Sequence, residues 1–147
     1  MLTNVESMIK QFSMIRKAYA KYLCQAFPDE NFSPSEIDIL IFLSNNSSIN
    51  TSKELVVYLG ISKSLVCRSV ESLLHRGYLK IRDDEKDRRI QRLALTELSS
   101  DIIGEIKQHQ DWFSKTVLSN VEEQKLKIVI EVMEQIQENV TNILKGE

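Results

Sequence analysis

Side chains able to bind a polyanion are concentrated in the middle third of the chain. Residues 51–96 hold ten lysines and arginines against six acidic residues, a net charge of +4, whereas residues 1–50 carry −1 and residues 97–147 carry −5. Because local potential decides where a polyanion docks, the total charge of −2 does not argue against a nucleic-acid partner. The pattern favours a nucleic-acid surface in residues 51–96, the alternative being an ordinary fluctuation in solvated charge.

Residue patterns for catalysis or metal binding are missing from the sequence. The two histidines, His75 and His109, fall in separate predicted helices, and the two cysteines, Cys24 and Cys67, lack metal-type spacing. The acidic run at 83–85 falls in a polar turn, and neither a glycine-rich phosphate loop nor a nucleophile elbow is present. We predict that the chain is not an enzyme and has no metal site and no cofactor.

Two short predicted helices joined by a tight turn position the first group of polar residues. Thr51 and Glu54 have capping-box spacing at the start of a helix that ends at Gly60, where we expect a left-handed conformation. Ser62 caps the next helix, which Gly77 ends, so the pair forms a helix-turn-helix. The inward face of this second helix consists of Leu65, Val66, Val70, Leu73 and Leu74.

The opposite face of that helix carries the candidate groove readers. Arg68 is the residue expected to contact a base, because its planar fork can donate two hydrogen bonds to a guanine edge. Ser62 and Ser64, near the helix start, suit phosphate or base contacts. The alternative is an ordinary solvated helix face. The whole face consists of Ser62, Lys63, Ser64, Cys67, Arg68, Glu71 and His75. The predicted DNA-binding residues also include Thr51 and Ser52, at the start of the preceding helix.

A predicted β-hairpin positions the second group. Two β-prone runs, residues 78–82 and 90–95, flank a charged tip at 83–88 that is too polar to bury. A helix-turn-helix followed by a hairpin has the order of a winged helix-turn-helix, which can place a helix in the major groove and the wing against the minor groove. We predict that Arg88 approaches the minor groove, and that Lys86 and Arg82 touch phosphates.

Long amphipathic helices flank this predicted lobe. They are expected at about residues 4–27, before the helix-turn-helix, and at about 97–118 and 122–144 after it. Thr96 is the expected cap of the helix at 97–118. A small winged-helix unit cannot cover all of their apolar stripes, so we expect some of that surface to meet a second copy of the chain. The alternative is that these helices pack on one another within a monomer.

The fold class follows from these elements: mainly α with a small β-hairpin wing, as a winged helix-turn-helix lobe plus a helical dimerisation region. We assign residues 1–32 to an N-terminal dimerisation helix, residues 33–96 to the DNA-binding lobe and residues 97–147 to C-terminal dimerisation helices. A second helix should begin within the lobe at Pro34, after a capping box of Ser33 and Glu36.

The sequence resembles the MarR family of transcriptional regulators along essentially its whole length. The resemblance is carried by residues 59–66, residues 74–79, and above all residues 82–89 followed by 93–96, which are similar to the family's Asp-x-Arg wing signature and its Leu-Thr ending. One departure is visible, because the family commonly has a glycine three residues after that threonine and this chain has Ser99.

The resemblance implies specific roles. In the family the arginine of Asp-x-Arg contacts DNA and the aspartate braces it, and Asp87 and Arg89 occupy those positions. The alternative for Arg89 is a salt bridge that only shapes the hairpin. The resemblance also implies a small aromatic ligand between the dimerisation helices and the DNA-binding lobe. Trp112 and Phe113 could line such a cavity or fill a core, the second being the expected role.

The cysteines have alternative roles as well. Cys67 lies on the predicted DNA face, where it is a small groove-lining side chain or, less in keeping with its surroundings, a redox switch. Cys24 is expected to pack beside the apolar stripe of the first helix.

No apolar run approaches the roughly 20 residues that span a bilayer, and the N-terminus lacks the features of a signal peptide. We therefore expect a soluble cytoplasmic protein without a membrane partner.

The function predicted from the sequence is a DNA-binding transcriptional regulator. We expect a homodimeric repressor that binds a pseudo-palindromic operator in double-stranded DNA and can be released by a small ligand. The alternative is a winged-helix adaptor that binds another protein through its acidic C-terminal helices and does not read DNA. The sequence does not indicate the operator, the target genes or the effector.

Overall fold

The computed structural model describes residues 4–146. Within these residues the chain forms six α-helices and one antiparallel hairpin, which confirms the predicted mainly α class with a small wing. The chain divides into two compact units, residues 1–113 and 114–147, and α5 crosses the boundary. The elements are α1 Val5–Ala26, α2 Pro34–Asn45, α3 Ser52–Leu59, α4 Lys63–His75, β1 Leu79–Asp83, β2 Gln91–Leu95, α5 Glu97–Val117 and α6 Glu123–Lys145.

Side-chain caps fix where α2 and α3 begin. The Ser33 hydroxyl accepts from the Glu36 amide at 3.3 Å, and the Glu36 carboxylate accepts from the Ser33 amide at 2.7 Å. Thr51 and Glu54 form the same reciprocal pair at the start of α3, with distances of 3.3 and 2.9 Å. Both predicted capping boxes are confirmed, and each satisfies amides that have no partner inside the helix.

The core of the first unit lies among α1, α2, α4 and α5. Leu23 and Phe27 of α1, Leu40 of α2, Leu73 of α4 and Ile106 of α5 are almost completely buried in one cluster. Four apolar side chains of α2 are buried because this helix packs against α1, α3, α4 and β2; they are Ile37, Ile39, Leu40 and Leu43.

The start of α5 differs from the predicted cap. The Thr96 hydroxyl donates to the Gly77 carbonyl at 2.6 Å, which ties the helix start to the turn between α4 and β1. Ser99, at the position where the resembling family commonly has a glycine, is fully buried and donates its hydroxyl to the Thr96 carbonyl at 2.6 Å. A serine is accommodated there because its one polar atom has a local acceptor.

The second unit contains the end of α5 and all of α6. Asn120, in the turn between the two helices, has a φ of 65°. Exposed ion pairs occupy the first two turns of α6, with Lys125 at 3.2 Å from Glu122 and Lys127 at 3.0 Å from Glu123. Among residues 4–146, no helix is both long and apolar enough to cross a lipid bilayer.

Candidate nucleic-acid interface

A tight turn sets the angle between α3 and α4. Gly60 follows α3 with a φ of 63° and a ψ of 29°, the left-handed conformation predicted for it. Its amide donates to the Val56 carbonyl at 3.2 Å and so closes the last turn of α3. Two residues later the Ser62 hydroxyl accepts from the Leu65 amide at 3.2 Å, and α4 begins. The predicted helix-turn-helix is present.

The outward face of α4 is open to solvent. Arg68, Glu71 and His75 are exposed, whereas Val66 and Leu73 on the opposite side are fully buried. All five predicted groove-facing residues at the start of the helix are exposed, so the structure brings them together on one surface. They are Ser62, Lys63, Ser64, Cys67 and Arg68.

Buried polar contacts lock α4 onto α2. The Ser35 and Ser69 hydroxyls meet at 2.7 Å inside the helix pair. Glu36, which is 5% exposed, accepts from the Ser72 hydroxyl at 2.6 Å and from Arg76 Nη1 at 3.3 Å. Burial alone would raise the pKa of Glu36, but these hydrogen bonds and the charge of Arg76 hold it below its ordinary value. The outward face of α4 is therefore presented from a fixed helix.

Arg76 also joins α4 to the segment between α1 and α2. Its guanidinium lies 4.6 Å from the centre of the Phe32 ring and 5.2 Å from the centre of the Tyr78 ring, and it also donates to the Glu30 carbonyl. The capping box that starts α2 thus also anchors the end of α4, because Glu36 serves both.

The wing is a hairpin closed by an aspartate. Strand β1 pairs with β2 with Leu79 opposite Leu95 and Arg82 opposite Arg92. Asp84, just after β1, accepts from the backbone amides of Lys86 and Asp87, both at 2.9 Å. It also accepts from Arg92 Nε at 2.5 Å, and these contacts, the arginine first, lower the pKa of Asp84 to about 2.

Arg92 also joins the wing to α3. Its Nη1 donates to the Asn50 side-chain oxygen at 2.9 Å, and the Leu93 amide donates to the Asn50 carbonyl at 2.8 Å. The Asn50 amide in turn donates at 2.9 Å to Glu54, the capping residue of α3. The hydrogen bond from the Thr51 amide leads the contacts that lower the pKa of Glu54. Hairpin and helix start are consequently held by one chain of hydrogen bonds.

The sequence reasoning missed this chain of contacts. The alternative considered for Arg89 was a hairpin-shaping salt bridge, and in the structure the ion pair that shapes the hairpin is Arg92 with Asp84. Asp87 instead accepts from the Arg89 backbone amide at 3.0 Å, which leaves the arginine side chain at the surface. The predicted wing residues, all exposed, are Arg82, Lys86, Asp87, Arg88 and Arg89.

Two hollows flank α3. One, of about 730 Å³, separates α3 from the wing and is bordered by Thr51, Ser52, Lys53, Arg89 and Arg92. The other, of about 470 Å³, separates α3 from α4. Thr51 and Ser52, which are half-buried at the start of α3, therefore border the wing side of the surface that the exposed residues of α4 occupy.

An aromatic cluster lies between α1 and α5 of the first unit. Tyr22 shares a hydrogen bond with His109 Nδ1 at 2.9 Å and stacks on Trp112 with ring centres 5.0 Å apart. The centre of the Phe113 ring lies 5.5 Å from the centre of the Tyr22 ring, and Trp112 is 54% exposed. The expectation that Trp112 fills a core was wrong, since its ring covers the surface of this cluster, whereas Phe113 is half-buried.

The two cysteines have different surroundings. Cys24 is half-buried beside the core, and burial, together with Asp38 and Glu36, raises the pKa of its thiol. Cys67 is exposed on α4 at the edge of the hollow between α3 and α4. Both carry free thiols. Among residues 4–146, no three histidine, cysteine or acidic side chains are grouped so as to hold a metal ion.

The comparison with known proteins agrees with this geometry. Residues 30–90, which contain α2, the helix-turn-helix and most of the wing, match the MarR family model. The chain is 27% identical over 111 residues to YdgJ, an HTH-type transcriptional regulator of Bacillus subtilis, and the match covers 76% of this chain and 67% of YdgJ. The chain is similar to MarR-family transcriptional regulators across α2, the helix-turn-helix and most of the wing.

Solved structures of MarR proteins share the fold along the whole chain. A MarR transcriptional regulator from Methanosarcina mazei is 24% identical with a TM-score of 0.82, and the similarity covers 94% of this chain and 99% of the other. A MarR protein from Peptoclostridium difficile is 18% identical with a TM-score of 0.84, covering 100% and 96%. A MarR family regulator from Listeria monocytogenes, solved in complex with 26mer DNA, is 16% identical with a TM-score of 0.80, covering 95% of each chain.

Proposed function

We propose that this chain is a MarR-family regulator, which binds double-stranded DNA as a homodimer and represses transcription from a pseudo-palindromic operator. The observation that carries the proposal is the exposed polar face of α4 beside a basic wing that is fixed to the same helix-turn-helix. A rigid arrangement favours DNA binding, because little conformational entropy is lost when the two elements enter neighbouring grooves.

Each part of the proposed interface has its own task. Arg68 donates to a base edge in the major groove, with Ser64 and Lys63 contacting base or phosphate beside it. The wing cations neutralise phosphates, and Arg88 approaches the minor groove. Thr51 and Ser52 hold a phosphate at the start of α3. The remaining proposed contacts are Ser62, Cys67, Arg82, Lys86, Asp87 and Arg89.

The second copy of the chain is proposed from the exposed apolar side chains of the terminal helices. On α1, Val5 and Ile9 are 65% and 59% exposed. On α6, Ile143 and Leu144 are 73% and 82% exposed, and none of the helix's residues is buried. Large exposed apolar surfaces mark interaction sites. We assign residues 1–32 and 97–147 to dimerisation, which would present two copies of α4 to one operator.

Release by a small aromatic ligand is the regulatory part of the proposal. The cluster of Tyr22, His109, Trp112 and Phe113 offers ring faces and one polar pair to a flat apolar molecule. A protein of similar fold, BpsR of Bordetella bronchiseptica, has its DNA binding regulated by 6-hydroxynicotinic acid; it is 15% identical to this chain with a TM-score of 0.74. Such a ligand would act through its different affinity for the DNA-bound and free conformations. We also propose a cytoplasmic location, since a repressor must reach its operator DNA.

Selection from a random duplex pool tests the proposal. The purified protein is mixed with the pool at moderate salt, and the retained duplexes are sequenced, alongside Arg68→Ala and the matched variant Lys107→Ala. Lys107 is an exposed cation on α5, within the proposed dimerisation region but outside the proposed DNA contacts. We expect an inverted repeat with half-sites about one helical turn apart. It should be retained by Lys107→Ala and lost or relaxed in Arg68→Ala.

The contrary result would be equal retention of all sequences by the wild type and both variants, repeated after refolding to remove any bound molecule. That result would favour an adaptor that binds another protein.

A further inference from the structure

The hollow between α3 and α4 is apolar although it lies in the most basic third of the chain. It measures about 470 Å³ and opens beside the outward face of α4. Val66 forms its floor and is fully buried, whereas Val57 on its wall is 70% exposed. Four apolar side chains, two lysines and one serine line it: Val56, Val57, Val66, Cys67, Lys53, Lys63 and Ser52.

The position of this hollow limits what can fill it. Ser64 lies three residues before Cys67 and four before Arg68 on α4, and all three side chains are exposed, so the edge of the hollow adjoins the proposed base-reading residues. The two lysines at its border attract a polyanion to its mouth. An apolar group carried by a polyanion therefore suits both the walls and the border.

Within a DNA major groove, the one apolar group on a base edge is the 5-methyl group of thymine. We propose that the hollow lined by Val56, Val57, Val66 and Cys67 receives a thymine methyl group, and that this contact sets a thymine at one position of each operator half-site. This inference rests on the proposed DNA-binding function and names the base that this part of the surface selects. Cys67 and Val57 are then specificity-determining residues, and Lys53 and Lys63 bind the flanking phosphates.

The size of the effect follows from the burial of one methyl group. Replacing thymine by uracil removes only that methyl and leaves every hydrogen-bonding group of the base in place. Loss of one buried methyl should weaken binding about fourfold. Replacement in both half-sites of a palindrome should weaken it by about 15-fold, because the two contacts are far apart and add.

The experiment uses a duplex retained in the selection. Each thymine is replaced by deoxyuracil in turn, symmetrically in both half-sites, and the dissociation constant is measured at one salt concentration. One thymine position should show the full loss, and the others little. The two wall variants, Cys67→Ser and Val57→Thr, keep the side-chain shape but make the wall polar. With them the uracil-to-thymine ratio of dissociation constants at that position should fall below about two.

A matched control makes the same chemical change elsewhere. Cys24→Ser replaces a half-buried thiol on α1, away from the proposed DNA contacts. Because α1 belongs to the proposed dimerisation region, the control is read as the ratio of the two dissociation constants and not as affinity, and this ratio should keep its wild-type value. Circular dichroism checks that each variant is folded. If the wild type binds the parent duplex and every uracil duplex equally well, the inference is wrong while DNA binding stands. If it binds no duplex, the proposed function fails and the inference fails with it.

Discussion

Glu36 and Asp38 lie two residues apart on α2, and their removal should have very different effects on stability. The Glu36 side chain is 7% exposed and accepts from Ser72 at 2.6 Å, from Arg76 at 3.3 Å and from a backbone amide at 2.7 Å. The Asp38 side chain is 35% exposed and lies 3.9 Å from Arg16, whose side chain is 73% exposed. Burial raises the pKa of Asp38, and the arginine offsets this only in part.

The magnitudes can be worked from these contacts. Glu36→Ala leaves three donors without their acceptor, and a buried donor left unpaired costs about 1–3 kcal/mol. Arg76 is a quarter exposed and recovers water, so the total loss in the free energy of unfolding should be about 3 kcal/mol. Asp38→Ala removes a pair that is mostly solvated, which should cost at most about 0.5 kcal/mol.

Urea unfolding followed by circular dichroism measures both variants at one fixed protein concentration, since association would shift the midpoint. With a slope of about 2 kcal/mol per molar urea, Glu36→Ala should lower the midpoint by about 1.5 M, and Asp38→Ala by less than about 0.3 M. Glu36→Gln, which keeps an acceptor, should fall between them. Equal midpoints for the two alanine variants would refute the claim that Glu36 holds α4 on α2.

Further changes test the turn after α3, the cap of α4 and the wing. Gly60→Ala should destabilise the protein by about 1–2 kcal/mol, because a φ of 63° strains any side chain. Gly104→Ala, in the middle of α5 with open space at its Cβ, should stabilise it by about 0.5–1 kcal/mol. Thermal unfolding compares the two variants, and stability changes of the same sign would contradict the left-handed conformation assigned to Gly60. Ser62→Ala should cost about 1 kcal/mol through loss of the cap of α4, and an unchanged midpoint would count against that cap. Because the pKa of Asp84 is lowered to about 2, its contribution to wing stability should be complete above its ordinary pKa of about 3.9 and lost as the pH falls through about 2. Amide exchange in the wing should show this loss, and Asp84→Asn should remove the pH dependence.

Much of the fold could be predicted because its signals are local. Ser33 and Thr51 with their glutamates are three residues apart, and a capping box needs no other part of the chain. The hairpin and the exposed face of α4 follow from residue periodicity in the same way. The left-handed Gly60 was predictable too, since few other residues adopt that conformation without strain.

The contacts that fix the site could not be predicted, since they join distant positions. Arg92 meets Asn50 across 42 positions, and Arg76 meets Glu36 across 40. Several acidic residues near the tip were equally plausible partners for a wing arginine. Only the register of Arg92 opposite Arg82 selects Asp84. The one feature of the sequence that could have drawn attention to Asn50 as a contact of the wing is its position directly before the capping box of α3.

The salt dependence of duplex binding tests the central claim, that this chain reads DNA through α4 and the wing, most directly. Dissociation constants of the selected duplex are measured between 50 and 200 mM salt for the wild type, Arg68→Ala and Arg88→Ala. The account predicts that wild-type affinity falls by about a thousandfold or more over this range if six or more phosphates are contacted. Arg88→Ala should weaken binding to all sequences and reduce the slope by about one, whereas Arg68→Ala should lower the preference for the selected sequence at a similar slope. Affinity that is weak and independent of salt in all three proteins would contradict the account.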